Sequence, residues 1–220
     1  MELIKAVTTR RSIRAFKPKP VSRKVILEVL DIARWAPSGM NLQPWEFTIV
    51  IGPVFDEIKN AVEERLPTTL HLPANIPEMY KQRRTKQIDE IVKSMGEQEA
   101  YQNYTKARAI KGARFYDAPA AIIIYNDKAF TTTRNLDIGL LVENILLVAH
   151  DKGLGCCVMG TFSTYSDLIG RIIKLPESKS IIAGLIIGYP DMNAPENSLP
   201  RSREPIESLV NCSEGITETQ

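Results

Sequence analysis

Histidine and cysteine are scarce in this chain, at two and three of 220 residues. His71 and His150 have no neighbour at metal-ligand spacing and no CxxC pair occurs, so no zinc or other metal site is expected. Cys156 and Cys157 are adjacent and Cys212 stands near the end. An odd, sparse set of thiols argues against a disulfide framework and leaves buried structural thiols as the expectation. Charge of one sign is lacking too. The 28 Lys and Arg oppose 26 Asp and Glu, for a net charge of +2, without the basic excess of a nucleic-acid reader. Long apolar runs are absent. The most hydrophobic helical stretch, Leu136 to Ala149, is interrupted by Asp137, Glu143 and Asn144 and is too short to cross a bilayer. Met1 and Glu2 lead to Arg10 and Arg11 without the apolar segment of a secretory signal, so a cytoplasmic, reducing location is expected. Glycine-rich phosphate loops are missing as well: no GxGxxG follows a strand, no GxxxxGKS/T occurs, and Gly153-Leu154-Gly155 follows a helix. A nucleotide bound here has to be held by arginines instead.

What is present suits one folded domain. Hydrophobic residues make up 44% and charged residues 25%, enough for a core without covalent staples. Leu3, Ile4, Ala6 and Val7 predict a short opening helix. Pro18 and Pro20 forbid regular helix. Ser22 then caps a helix to about Trp35, with Val25, Ile26, Val29, Leu30 and Ala33 at helical spacing. Glu46 to Ile51, Ala120 to Tyr125, Cys156 to Met159 and Ser180 to Gly188 read as strands. Pro53 starts a helix with Phe55, Ile58, Ala61 and Val62 on one face, and Pro67 to Pro77 reads as a loop. Residues 78–111 are polar and helical, and their basic run Lys81 to Lys86 reads as a solvated face. Thr132 to Lys152 forms a helix with a wide apolar face of Leu136, Leu140, Leu141, Leu147 and Val148, closed by Gly153. Ser163 to Lys174 is a further helix. Beyond Pro190 core residues thin out until Ile206, Leu209 and Val210, the pattern of an arm that is stable only against another surface. The expected fold is α+β. It is a three-layer sandwich with a mixed, mostly antiparallel central sheet flanked by helices, in a single domain over residues 1–220. A helical insertion or lid occupies about 65–112 and a C-terminal arm about 191–220.

Three segments carry chemistry. Arg10-Arg11-Ser12-Ile13-Arg14 sets three guanidiniums and a hydroxyl within five residues, and guanidinium forks match phosphate oxygens. In an extended segment Arg10, Ser12 and Arg14 point the same way. Taken alone, the segment also reads as a solvated basic turn. Ala36 to Trp45 is a loop of small, proline and amide residues. Its Asn41 and Gln43 offer paired donors and acceptors suited to a heterocycle's imide edge, or to a self-satisfied turn. Leu199 to Pro205 again alternates arginines around a serine, as Arg201, Ser202 and Arg203. With the first segment it could supply four cations to one phosphate.

In this order, RRSIRAF at 10–16, APSGMNLQPWEF at 36–47, GLGCCVMGTF at 153–162, AGLIIGYPD at 183–191 and LPRSR at 199–203 resemble the nitroreductase-like family of FMN-dependent oxidoreductases. FYDAPAAI at 115–122 and the helix around Arg83 and Arg84 are most similar to its nitrobenzoate-reductase-like branch. The resemblance implies a homodimer with two FMN molecules at the interface and NADH or NADPH as co-substrate. It places Arg10, Ser12, Arg201 and Arg203 at the phosphate and Arg14 near the N1–C2=O edge of the flavin, and counts Arg11 and Gln43 among the cofactor-binding residues. Pro37, Ser38, Gly39 and Asn41 approach the flavin of the other subunit. Val158, Met159 and Gly160 line the ring, with a backbone N–H near N5. The implied reaction is ping-pong hydride transfer from NAD(P)H to a nitroaromatic or related electron-poor small molecule. No side chain serves as nucleophile, acid or base. Alternatives are another reaction on the same scaffold, such as quinone, flavin or enone reduction or reductive dehalogenation, a non-catalytic flavin-binding protein, or a basic nucleic-acid-binding module built on residues 10–14 and 81–86. The expected partners are a second copy and a small-molecule acceptor, with no nucleic acid and no membrane.

Overall fold

The computed structural model describes residues 1–65, 76–130 and 132–212. Most of the loop expected at Pro67 to Pro77 lies outside them. The chain forms two compact units, Met1–His71 with Tyr104–Ser198, and Leu72–Asn103 with Leu199–Gln220.

Among the described residues the first unit is built on four strands, β1 (Glu46–Ile51), β2 (Ala120–Asp127), β3 (Gly155–Val158) and β4 (Lys179–Gly188), in the order β1-β2-β4-β3. Every pairing within this sheet is antiparallel. Its centre is the run Ile122-Ile123-Ile124, with no exposed surface, as expected of a strand covered on both faces. Alternate residues feed two cores. Ala120, Ile122 and Ile124 meet Ile26, Val29, Leu141 and Ile145 of α2 (Arg23–Ala33) and α6 (Arg134–Asp151). Ala121 and Ile123 meet Phe55, Ile58, Phe162 and Ile169 of α3 (Pro53–Glu64) and of two short helices, α7 (Thr161–Thr164) and α8 (Ser166–Ile172). Helices thus cover both faces of the sheet. At Gly184 a side chain is excluded outright, because a Cβ there would lie 2.2 Å from the Phe162 ring.

Several boundaries follow directly from local chemistry. Ser22 Oγ accepts the Val25 N–H at 3.3 Å and caps α2, and Gly153, at φ 73°, ends α6. Two expectations need correction. The buried face of α6 is Ile138, Leu141, Ile145, Leu146 and Ala149, whereas Leu136 and Leu140 are 70% and 40% exposed. The helix expected over Ser163 to Lys174 is two helices, because Tyr165 leaves helical geometry at φ −108°, ψ 30°. A short α1 (Leu3–Thr9) precedes these elements, and α5 (Gln98–Ala113) precedes β2.

In the second unit, α4 (Glu78–Met95) ends at Gly96, whose left-handed φ of 84° lets its N–H bond Val92 O. The first residues of the arm lie along α4: Gln87 Nε2 donates to Pro200 O at 2.8 Å, and Lys86 pairs with Glu204 at 3.8 Å. Lys81 pairs with Glu78 at 3.4 Å. The basic run is therefore a solvated, ion-paired face. Among the described residues, no helix is long and apolar enough to cross a membrane, and no cluster could hold a metal ion.

Candidate functional site

The segment after α1 is stitched to β3 and to the chain beyond β4. Ser12 forms a parallel bridge with Cys156 and the Ile13 N–H donates to Cys156 O at 2.9 Å. Gly155 permits this approach, since a Cβ there would be 2.6 Å from Ile13. Phe16 bridges Pro190, and the Lys17 N–H donates to Tyr189 O at 2.8 Å. Asn197, with no exposed surface, completes the seam. Its Oδ1 accepts the Arg14 N–H at 2.8 Å, and its Nδ2 donates to Ala15 O and Asp191 O at 2.8 Å each. A buried amide with its donors and acceptor engaged is a rigid clamp.

This seam distributes the side chains. Ser12 and Arg14 both meet Cys157, whose thiol is pushed up by burial against the opposing pull of Arg14, the Ser12 hydroxyl and Arg108. Arg10 turns to the other side, toward Cys156. Its Nε lies 3.4 Å from Glu143 Oε1, in a geometry that leaves Nε buried without a hydrogen-bond partner among the described residues. Arg10 and Arg11 line a cavity of about 250 Å³ with His150, Leu154 and Met192. At the end of β3, Val158 is exposed and Met159 is buried. The Met159 N–H is engaged by Gly184 O at 2.9 Å, and around Gly160 a Cβ would meet nothing within 4 Å.

Sequence reasoning missed a group of residues from α5 and the turn that follows it. Arg108 has the phenols of Tyr116 and Tyr104 as hydrogen-bonding neighbours. Tyr104 in turn lies within electrostatic reach of both Arg108 and Arg14. Burial raises the Tyr104 phenol while the two guanidiniums pull it down. Tyr104 and Arg108 are four residues apart in a helix, which was the available signal. Nothing in the sequence alone tied them to Arg14.

The loop between α2 and β1 is held by α6. The Gly39 N–H donates to Asp137 Oδ1 at 3.3 Å, and Arg134 pairs with Asp137 at 3.2 Å. A Cβ on Gly39 would lie 2.1 Å from Arg134 Nη1. Ser38 Oγ accepts the Gln43 N–H at 3.0 Å, and Gln43 Nε2 donates to Asn41 O at 3.3 Å. Met40, Asn41 and Gln43 all have left-handed φ, of 55°, 54° and 48°. Such strain concentrates at functional sites. Pro37 and Asn41 are exposed. Arg201 and Arg203 belong to the second unit, where Arg203 Nη1 donates to Ser202 O at 2.9 Å.

The residues of the first unit fit a flavin nucleotide. A buried guanidinium nitrogen lacks a hydrogen bond, Arg14 has no carboxylate partner among the described residues, and the strand end at Val158 to Gly160 is open.

The Nitroreductase family model matches residues 7–189. The chain is 34% identical over 209 residues to a 4-nitrobenzoate reductase of Pseudomonas putida, covering 90% of this chain and 89% of that protein. It is 25% identical over 212 residues to a nitrobenzene nitroreductase of Ectopseudomonas oleovorans, covering 93% of each. Its fold matches the crystal structure of the FMN- and NADPH-dependent nitroreductase NfnB from Sphigopyxis sp. strain HMH with a TM-score of 0.85 at 25% identity, over 97% of this chain and 99% of that one. With the family model spanning most of its length, and this fold around an arginine-lined seam, the chain belongs to the nitroreductase family.

Proposed function

We propose that this protein is an FMN-dependent NAD(P)H oxidoreductase that reduces nitroaromatic or related electron-poor small molecules by ping-pong hydride transfer. The observation that carries this reading is the seam at β3. There Ser12 and Arg14 are fixed by backbone pairing to Cys156 and Asn197, Arg10 follows directly from α1 through its N–H bond to Ala6 O, and Arg10 and Arg14 keep guanidinium nitrogens not committed to carboxylate hydrogen bonds among the described residues. Arg10 and Ser12 bind the phosphate. Arg14 faces the N1–C2=O edge. Val158, Met159 and Gly160 line the ring, and Gly160 supplies the N–H near N5, since that of Met159 already binds Gly184 O. Bound FMN supplies the hydride chemistry. The protein orients the ring, compensates charge and limits water, and no side chain acts as acid or base.

Pro37, Ser38, Gly39, Asn41 and Gln43 serve the flavin of a second subunit in a cytoplasmic homodimer, with the arm over 191–220 reaching across. Ile4, Trp35, Met40 and Leu136 support this reading, being between 70% and 81% exposed; apolar surface of that kind marks an interface.

The test is the visible spectrum of the purified protein, followed by anaerobic addition of NADH and then NADPH. A yellow protein bleached by one donor, and reoxidised by a nitroarene, is the expected result. A folded, colourless protein that takes up no added FMN would overturn the reading.

A further inference from the structure

One face of α5 carries Tyr104, Arg108 and Gly112 at four-residue intervals. A Cβ on Gly112 would lie 3.6 Å from Tyr116 Oη, so the Tyr116 phenol lies against that same face. It is brought there by an unfavourable turn. Phe115, Tyr116 and Asp117 have φ of 53°, 54° and 48°, three left-handed residues in a row and none of them glycine. Conformations of this kind persist where the surroundings impose them. Here the imposing contact is Phe115, fully buried between Phe55 and Phe162 with ring centroids 5.5 and 4.8 Å away.

The turn and the helix together aim two phenols at one guanidinium. Phenols orient Arg108 without neutralising it. Arg34, Arg65, Arg114, Arg134 and Arg171 each pair with a carboxylate. Arg108 and Arg14 do not, among the described residues, yet Tyr104 and Cys157 lie within electrostatic reach of both. Arg108 is also exposed. An oriented, solvent-accessible fork without a carboxylate partner among the described residues is a receptor for a planar anion, which it can grip through two parallel hydrogen bonds.

We propose that Arg108, aligned by Tyr104 and Tyr116, binds the carboxylate of the electron acceptor next to Arg14, so that nitroarenes carrying an anionic group are the preferred substrates. This rests on the flavin reading above, which places Arg14 at the cofactor. A single fork flanked by aromatic rings suits a carboxylate on an arene better than a phosphate dianion, which calls for more donors.

The experiment compares 4-nitrobenzoate with nitrobenzene as acceptors for the wild-type holoenzyme and for Arg108→Gln, with flavin content measured first. The expected result is a KM for 4-nitrobenzoate raised about ten- to hundredfold, as for loss of one charge-assisted hydrogen-bond pair. Nitrobenzene kinetics and the flavin potential stay unchanged, and Arg108→Lys recovers part of the loss. Benzoate, which is not reduced, should bind the variant more weakly by a similar factor in calorimetry. Equal losses for both acceptors, or none for either, would overturn the proposal. So would a defect seen with NADPH and absent with NADH, which would make Arg108 a donor-phosphate residue. A colourless wild type that still binds benzoate through Arg108 would sink the flavin reading alone. A yellow wild type without preference for the anionic acceptor would sink only the clamp.

Discussion

At the scale of single residues, Arg14 is the position on which, in the proposed flavin site, cofactor electronics depend. A guanidinium ~4 Å from a developing negative charge contributes about 4 kcal/mol at an effective dielectric of ~20. For a two-electron couple ~1.4 kcal/mol corresponds to about 30 mV. Arg14 is only half-buried, so screening reduces this, and Arg14→Ala is expected to lower the potential of bound FMN by roughly tens of millivolts. Spectroelectrochemical titration of the flavin-loaded variant checks it; an unchanged potential would remove Arg14 from the N1 edge. Arg14 was legible in the sequence because arginines crowd around it. Asn197 was not. An asparagine in a proline-rich stretch looks the same whether it faces water or holds Arg14, Ala15 and Asp191 together. Asp137 was visible only as an interruption of an apolar helix, when in fact it anchors the Gly39 N–H.

Elements were read unevenly, for physical reasons. Strands came out nearly to the residue, because a run such as Ile122-Ile123-Ile124 has few stable homes outside a covered sheet. The faces of helices did not. Apolar spacing along α6 says that a face avoids water but not what covers it, and Leu136 and Leu140 are uncovered in this chain. The left-handed turns at Met40 to Gln43 and Phe115 to Asp117 gave no glycine signal, since other residues occupy them. Close approaches are encoded more openly, in glycines. Gly184→Ala would drive a methyl into the Phe162 ring, and a loss of about 1–3 kcal/mol is expected, the usual cost of overpacking. Gly139→Ala on α6 meets nothing within 4 Å and should stabilise by about 0.5–1 kcal/mol through reduced backbone entropy. Denaturant unfolding of the two variants, with equal slopes, separates these opposite signs.

For the whole molecule, charge couples stability to pH on the acid side. The Asp127 carboxyl is held below its ordinary range, chiefly by the Ala129 N–H, that of Asp167 by the Leu168 N–H, and that of Glu196 by Lys111. A carboxyl depressed by folding contributes stability that is fully present above its unfolded pKa and is lost as pH falls through the folded one. The thermal midpoint should therefore hold level from pH 7 to about 5 and decline below about 4. A midpoint constant down to pH 3, followed by circular dichroism, would contradict this. The family was legible from the sequence because its motifs lie at both ends of the chain, and that placement also governs how the protein is made. Arg14 is locked by Asn197, 183 residues later. A ribosome adding roughly 5–20 residues each second covers that interval in about 10–40 seconds. Through that time the first arginines to leave the ribosome have no seam to join. The seam proposed to hold the cofactor is thus among the last parts of a nascent chain that can form, and a chain interrupted before Asn197 emerges without it.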